Sequence, residues 1–435
     1  MIDIQPYTQR RARLLRQMQH GIAVIPTAPE ALRNNDTQYP YRFDSSFYYL
    51  SGFAEPEAVL VLIAGAAAQS ILFCREKNPE REIWDGHRFG PAAAQEKFGF
   101  DAAFPIAQLD EKLTELMANQ TTLFYPLGYD TAWDERIIKL RNAMQAKVRG
   151  GVRAPDKICD VHALINEMRL FKDAHELDIM CNAAAISAKA HRRAMQFSRP
   201  GQFEYEIEAE LLHEFCRHGA RYPAYTSIVA TGANACVLHY VENNAQLKEG
   251  ELLLIDAGCE RDGYASDITR TFPVNGRFSA AQKDVYEIVL AAQAAAIAAA
   301  QPNNAWDAPH HAALHVLAQG FVDLQLCQGS VDGVLESESY KKFYMHRTGH
   351  WLGMDVHDVG DYKMADNWRA LEPGMVLTVE PGCYIRPADD VPAALWNIGI
   401  RIEDDVVITT TGNEVLTEAA PKTVAAIEEL MKIKI

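Results

Sequence analysis

Four carboxylates and a histidine in the C-terminal half are of the types and spacings that could hold divalent cations. Residues 252–271 read as strand, turn, strand, with Asp256 ending the first strand and Asp267 inside the second. Asp262 followed by Gly263 is a hairpin signal. If the turn centres on residues 261–262, Asp256 and Asp267 are direct cross-strand neighbours. If Asp262 and Gly263 are the central pair, the register moves by two and the aspartates become diagonal neighbours. Either register keeps both carboxylates on one sheet face, about 5 to 8 Å apart at Cβ. Like charges side by side destabilise a sheet, and Leu, Ile and Ala around these two keep water away. A cation, an arginine or a shared proton must compensate them. The competing reading is that each aspartate caps a turn.

Two further carboxylates stand in similar places. Residues 375–380 form an apolar strand that ends on Glu380, where Pro381 and Gly382 stop it. A glutamate in a Val/Leu strand is rarely buried unless paired. Residues 399–408 alternate, so Arg401 and Glu403 share one face while Ile400 and Ile402 take the other. A surface ion pair between Arg401 and Glu403 is the plain alternative. His346, His350 and His357 fall within thirteen residues. The first two are four apart, like a helical metal pair, but Gly349 and Gly353 argue against a helix there. Taken singly, a histidine is more often packed or exposed than a ligand. His239 is expected at a strand end.

The elements that must position these groups follow from periodicity. Strands are expected at 58–63, 70–74, 227–230, 252–256, 263–272, 375–380 and 399–409. Helices are expected at 110–117, 134–144 and 203–218, with a long alanine-rich one at 279–301 behind Ser279 as N-cap. Asp173 with Glu176 three positions on forms a capping box. The basic stretch 9–19 is amphipathic and reads as a surface helix, with a transit peptide as the lesser alternative. Glycine and proline at 150–155 interrupt the pattern and set a domain boundary near residue 160. Thus an α/β domain over 1–160 precedes an α+β domain over 161–435. The first of these carries no glycine loop of the kind that cradles phosphate.

Composition bounds the rest. The 435 residues are 48% apolar and 23% charged, enough for two real cores. A formal charge of −16 repels phosphate backbones, which excludes nucleic acid as an expected partner. Eight scattered cysteines, none in a Cys-x-x-Cys unit, fit a reducing compartment. No run of 18 apolar residues occurs, so no membrane span is expected and the cytoplasm is the expected location.

Together these segments resemble the pita-bread metallopeptidases, on the aminopeptidase P side of that family. The resemblance covers nearly the whole chain. It runs from residues 33–36 and 52–57, through 255–258 and 266–271, to 399–404. It implies a C-terminal pita-bread domain with a curved, mainly antiparallel sheet. Asp256, Asp267, His350, Glu380 and Glu403 match the family's metal ligands, with Asp267 and Glu403 bridging. His239 and His357 match histidines flanking the reacting carbonyl. His346 and Tyr384 match positions on the proline side, and Arg401 an arginine that orients a ligand carboxylate. Asp36, Trp84 and Arg149 match entrance residues, some across subunits, so a homo-oligomer (dimer or tetramer) is implied. In one place the chain departs from the family pattern: His-Gly-x-Ser-His becomes His346, Arg347, Thr348, Gly349, His350.

Four oxygen ligands and one imidazole suit two hard or borderline divalent ions; Mn²⁺ fits best, with Co²⁺ or Zn²⁺ as alternatives. Water between two such ions loses its proton near neutral pH and becomes the nucleophile. Glu380 is the group expected to carry that proton to the departing amine. The activity implied is release of the first residue from peptides with proline second. A prolidase restricted to Xaa-Pro dipeptides and a non-catalytic pita-bread binding protein are the rivals. A metal-free creatinase-like hydrolase is disfavoured by the full ligand set.

Overall fold

Aliphatic and β-branched runs build the first sheet. The structure, a computed structural model, describes residues 3–435, which form two compact units, one extending to Met168 and the other Arg169–Ile435. In the first, β1 (Gly21–Pro26), β2 (Val59–Ala64), β3 (Gln69–Cys74), β4 (Ala102–Pro105), β5 (Thr122–Phe124) and β6 (Lys157–Cys159) make one sheet in the order β4-β3-β2-β1-β5-β6. The pairs β1/β2 and β2/β3 are antiparallel, and the others are parallel. Helices Leu109–Met117 and Thr131–Gln145 bury Leu109, Leu113, Met117, Ile137, Leu140 and Met144 against this sheet. Their i, i+4 and i, i+3 spacings put these side chains on one helix face.

The basic N-terminal helix, Gln5–Met18, exposes Arg13 and Arg16 on one face as a surface helix does, but two of its arginines, Arg10 and Arg11, are buried. The reason is carbonyl capping. Arg11 donates to the carbonyls of Leu50, Phe98 and Gly99, where helices Ser45–Ser51 and Gly90–Phe98 end. A guanidinium there satisfies orphan acceptors and meets the negative ends of two helix dipoles.

In the second unit, Ala174–Phe197 starts on the Asp173/Glu176 capping box and Ala280–Ala299 on a Ser279/Gln282 box, each with both reciprocal bonds formed. Strands β7 (Ile228–Thr231), β8 (Leu252–Asp256) and β9 (Thr269–Pro273) pair antiparallel in that order. Farther on, β10 (Val376–Val379) pairs with β13 (Asp404–Ile408), and β11 (Gly382–Ile385) with β12 (Ile398–Arg401). The mainly antiparallel architecture expected for this half is present.

Two expected strands are broken. Residues 263–272 contain a short strand, Tyr264–Ala265, and then β9, with a gap at 266–268. Residues 399–409 divide between β12 and β13, with the gap at Ile402 and Glu403. Both interruptions fall at candidate ligands. A strand inside a ladder spends its N–H and C=O on neighbours, whereas a break frees the backbone to aim a side chain elsewhere.

Candidate metal centre and active site

Five separate segments converge on one cavity of about 470 Å³. The hairpin turn uses Asp262 and Gly263 as its central pair, with φ of +48° and +83°, a type I′ geometry. Asp256 therefore pairs with Thr269, and Asp267 is its diagonal neighbour, two residues away. Gly258 makes the fold-back possible, because a Cβ there would lie 1.7 Å from the Ser266 carbonyl oxygen. In the gap, the Asp267 N–H leaves the ladder and donates to both Asp405 carboxylate oxygens, at 3.2 and 3.1 Å. The segment around His350 runs beside β10: Thr378 N–H donates to the His350 carbonyl, and Glu380 N–H to that of Thr348. Glu403 is tied to β9 by its N–H on the Thr269 carbonyl and by the Thr269 hydroxyl on its Oε2 at 2.6 Å.

Donor atoms of Asp267, His350 and Glu403 lie within 4.8 Å of one another. His350 Nε2 is 3.4 Å from Asp267 Oδ2 and 3.9 Å from Glu380 Oε1. Its Nδ1 donates to the Trp351 carbonyl at 2.9 Å, which orients the ring with Nε2 towards the carboxylates. Arg401 donates to Asp256 Oδ2 at 2.6 Å, to the Thr269 hydroxyl and to the Tyr384 hydroxyl. The surface Arg401–Glu403 pair is thereby excluded, since both residues are buried and Arg401 faces Asp256.

The electrostatics show a charge problem. Burial, reinforced by Asp267, Glu380 and Asp256, pushes the Glu403 carboxyl well above its ordinary value. Burial raises Glu380 to about 7 against the opposing pull of His350 and Arg401. Asp256 is also raised by burial, with Arg401 opposing. Burial acts against the His350 charge, yet the Asp267 hydrogen bond and charge, with Glu380, lift it to about 9. Asp267 is held below its ordinary value despite burial, chiefly by His350. Without a further positive charge, these acids cannot all ionise. Carboxylate oxygens with one imidazole nitrogen, buried and in need of positive charge, fit divalent cations.

The remaining expected residues divide into three sets. His239, His346 and His357 line the cavity with the five donors and Arg401. His239 is exposed and stands in a turn, not at a strand end, because Gly232 takes a left-handed φ and starts a 3-10 helix after β7. His357 is exposed, its ring 4.3 Å from that of His350. Tyr384 is fully buried behind His346. Its hydroxyl accepts from Arg401 and donates to His346 Nε2 at 2.8 Å, while His346 Nδ1 donates to the Arg347 carbonyl. Asp36, Trp84 and Arg149 belong to the first unit and are exposed there.

Sequence reasoning missed Tyr225, whose hydroxyl lies 2.7 Å from Asp256 Oδ1 and 2.5 Å from Asp267 Oδ1. Burial and both aspartates push its phenol well above 10, so it stays protonated and donates. It also missed Asp405 and Thr269. No local pattern marks them, since each acts across strands distant in sequence.

Residues 178–410 match Metallopeptidase family M24, and residues 7–125 match the Aminopeptidase P N-terminal domain. The chain is 46% identical to the Xaa-Pro aminopeptidase of Escherichia coli strain K12, covering 99% of this chain and 98% of that one. It is 35% identical to Xaa-Pro aminopeptidase 3 of Homo sapiens, covering 94% and 80%. Among solved structures, aminopeptidase PepP of Pseudomonas aeruginosa aligns with a TM-score of 0.98 at 51% identity, covering 99% and 98%. Zinc-substituted aminopeptidase P of E. coli, in complex with product, aligns with a TM-score of 0.97 at 45% identity, covering 99% and 98%.

Proposed function

This chain belongs to Metallopeptidase family M24 with an aminopeptidase P N-terminal domain, and from that premise we propose that it releases the first residue of peptides with proline in second position. It is a hydrolase, and its reaction is cleavage of the Xaa–Pro bond. The observation that carries the reading is the convergence of Asp256, Asp267, His350, Glu380 and Glu403 from five segments onto one cavity.

Those five side chains would hold two divalent ions, Mn²⁺ before Co²⁺ or Zn²⁺. When bound, such ions polarise the scissile carbonyl and lower the pKa of water. Glu380 moves a proton from the attacking water to the proline nitrogen as it departs. His357 and His239, open to the cavity, donate to the carbonyl oxygen as it gains negative charge, a contact worth about 3 kcal/mol in comparable oxyanion holes. His346 is neutral, because burial together with Arg401 lowers it to about 3. Its ring, held by Tyr384 and the Arg347 carbonyl, offers an uncharged edge to the proline side. Arg401 keeps Asp256 aimed at the centre.

A panel of peptides tests this. Release of the first residue from a longer peptide with proline second is expected. Cleavage of Xaa-Pro dipeptides alone would make the chain a prolidase. A chain that purifies without divalent metal and hydrolyses neither substrate would be a binding module, a reading disfavoured by the complete donor set.

We further assign the protein to the cytoplasm as a homo-oligomer, dimer or tetramer. Among the described residues no helix is long and apolar enough to cross a membrane. All eight cysteines are free, which fits a reducing compartment. Ile83 and Trp84, 81% and 83% exposed on one short helix, support a subunit contact that brings Trp84, Asp36 and Arg149 to an entrance. Light scattering on the purified protein tests it, and a monomer would remove from the site those of the three that reach the entrance across subunits.

A further inference from the structure

A second cavity of about 570 Å³ adjoins the catalytic one, and Arg347 and Gly349 belong to the walls of both. Its far wall is aromatic. The Trp306 and Trp368 rings stack 5.5 Å apart, and Tyr362 meets Trp306 edge-on at 4.5 Å. Arg347 Cζ and Lys363 Nζ both lie over the Trp368 ring, 5.1 and 4.5 Å from its centroid. Neither cation has a carboxylate within ion-pair distance among the described residues, in a chain whose net charge is −16. The Trp306 indole N–H is buried and has no acceptor among the described residues. Against these donors the wall offers one acid, Asp361.

Two like charges against one indole repel each other, and a buried unpaired N–H costs about 1–3 kcal/mol. A ligand that brings a carboxylate along an apolar stem relieves the two cations. An exopeptidase holds its substrate's first residue at the cation centre, so the chain beyond the cleaved bond must leave through a wall, and the wall shared with this cavity is Arg347. We propose that this aromatic cavity is a downstream subsite that receives the substrate residue after the proline and favours a peptide carboxylate against Arg347 and Lys363. The carboxylate is supplied either by an acidic side chain or by the C-terminus of a short peptide. The subsite rests on the aminopeptidase reading above. It also gives Arg347, which stands where the family pattern has glycine, a task in substrate choice.

The test uses four peptides that all begin Ala-Pro, with Asp or Asn third and a free or amidated C-terminus. With the wild-type protein, at least one carboxylate-bearing peptide is expected to show about fivefold higher kcat/KM than the Asn amide, an advantage that shrinks as salt is raised. The Asp-to-Asn and acid-to-amide comparisons identify which carboxylate is read. The double variant R347Q/K363Q loses the advantage, and R347K/K363R keeps most of it. Equal kcat/KM across the four peptides, or an advantage untouched in R347Q/K363Q, overturns the subsite while leaving the aminopeptidase reading in place. Failure of the wild type to cleave any of the four overturns both.

Discussion

The loop that carries His357 hangs on a buried ion cluster, and replacing Asp358 by asparagine should expose that dependence. Asp358 Oδ1 accepts from Arg169 at 2.5 Å and Oδ2 from Lys172 at 2.9 Å, with all three side chains no more than 3% exposed. Arg169 also reaches the half-exposed Asp355, at 2.7 Å. Asparagine keeps the shape but removes the charge, leaving Lys172 buried without an anion and Arg169 with a solvent-facing one. Breaking a buried pair in this way costs about 3–5 kcal/mol. At about 2–4 °C per kcal/mol for a unit of this size, the second unit should melt roughly 6–20 °C lower. Tryptophan fluorescence suits the measurement, since four of the six tryptophans lie beyond residue 168. kcat should fall with the loss of the His357 loop's anchor, while metal content stays unchanged. The pH dependence has a definite sign. Burial raises the Asp358 carboxyl, but Lys172 and Arg169 outweigh it and hold it below its ordinary value. Its stabilisation is therefore fully present above the unfolded value near pH 4 and lost as pH falls through the folded one. D358N should lack that part of the acid transition. A variant that melts within about 2–4 °C of wild type, with an unaltered acid limb, would refute the clamp.

Other perturbations address the centre directly. Removing divalent metal with a chelator should abolish turnover and lower the melting temperature, with both restored by Mn²⁺, because the acids then repel without compensation. Activity that survives exhaustive chelation would contradict the metal reading. Tyr225→Phe deletes the hydroxyl shared by Asp256 and Asp267 and should weaken metal affinity by about tenfold in a calorimetric titration. His357→Ala should lower kcat by about two orders of magnitude with metal content intact; loss of metal instead would make His357 a ligand. Glu380→Ala should abolish turnover and reduce metal loading, and full activity would remove Glu380 from the mechanism.

The amino-acid sequence alone determined the local elements and the identity of the acids. Capping at Asp173 and Ser279 is a contest among neighbours in the chain, settled by short-range sterics and hydrogen bonds, whereas the hairpin at Asp262 and Gly263 was legible as a turn but not in its register. What the tertiary structure decided lies where distant segments compete for the same backbone groups. The 399–409 strand divides at Glu403 because its halves pair with different partners, β11 and β10. Asp267 leaves its ladder for Asp405, and Tyr225 comes to sit between two aspartates. Arg10 and Arg11, polar by type, are buried because helix carbonyls far along the chain converge on them. Periodicity reports which face of a segment is apolar. It carries no information about which remote donor or acceptor that segment will meet, and partner choice of that kind sets the geometry of this site.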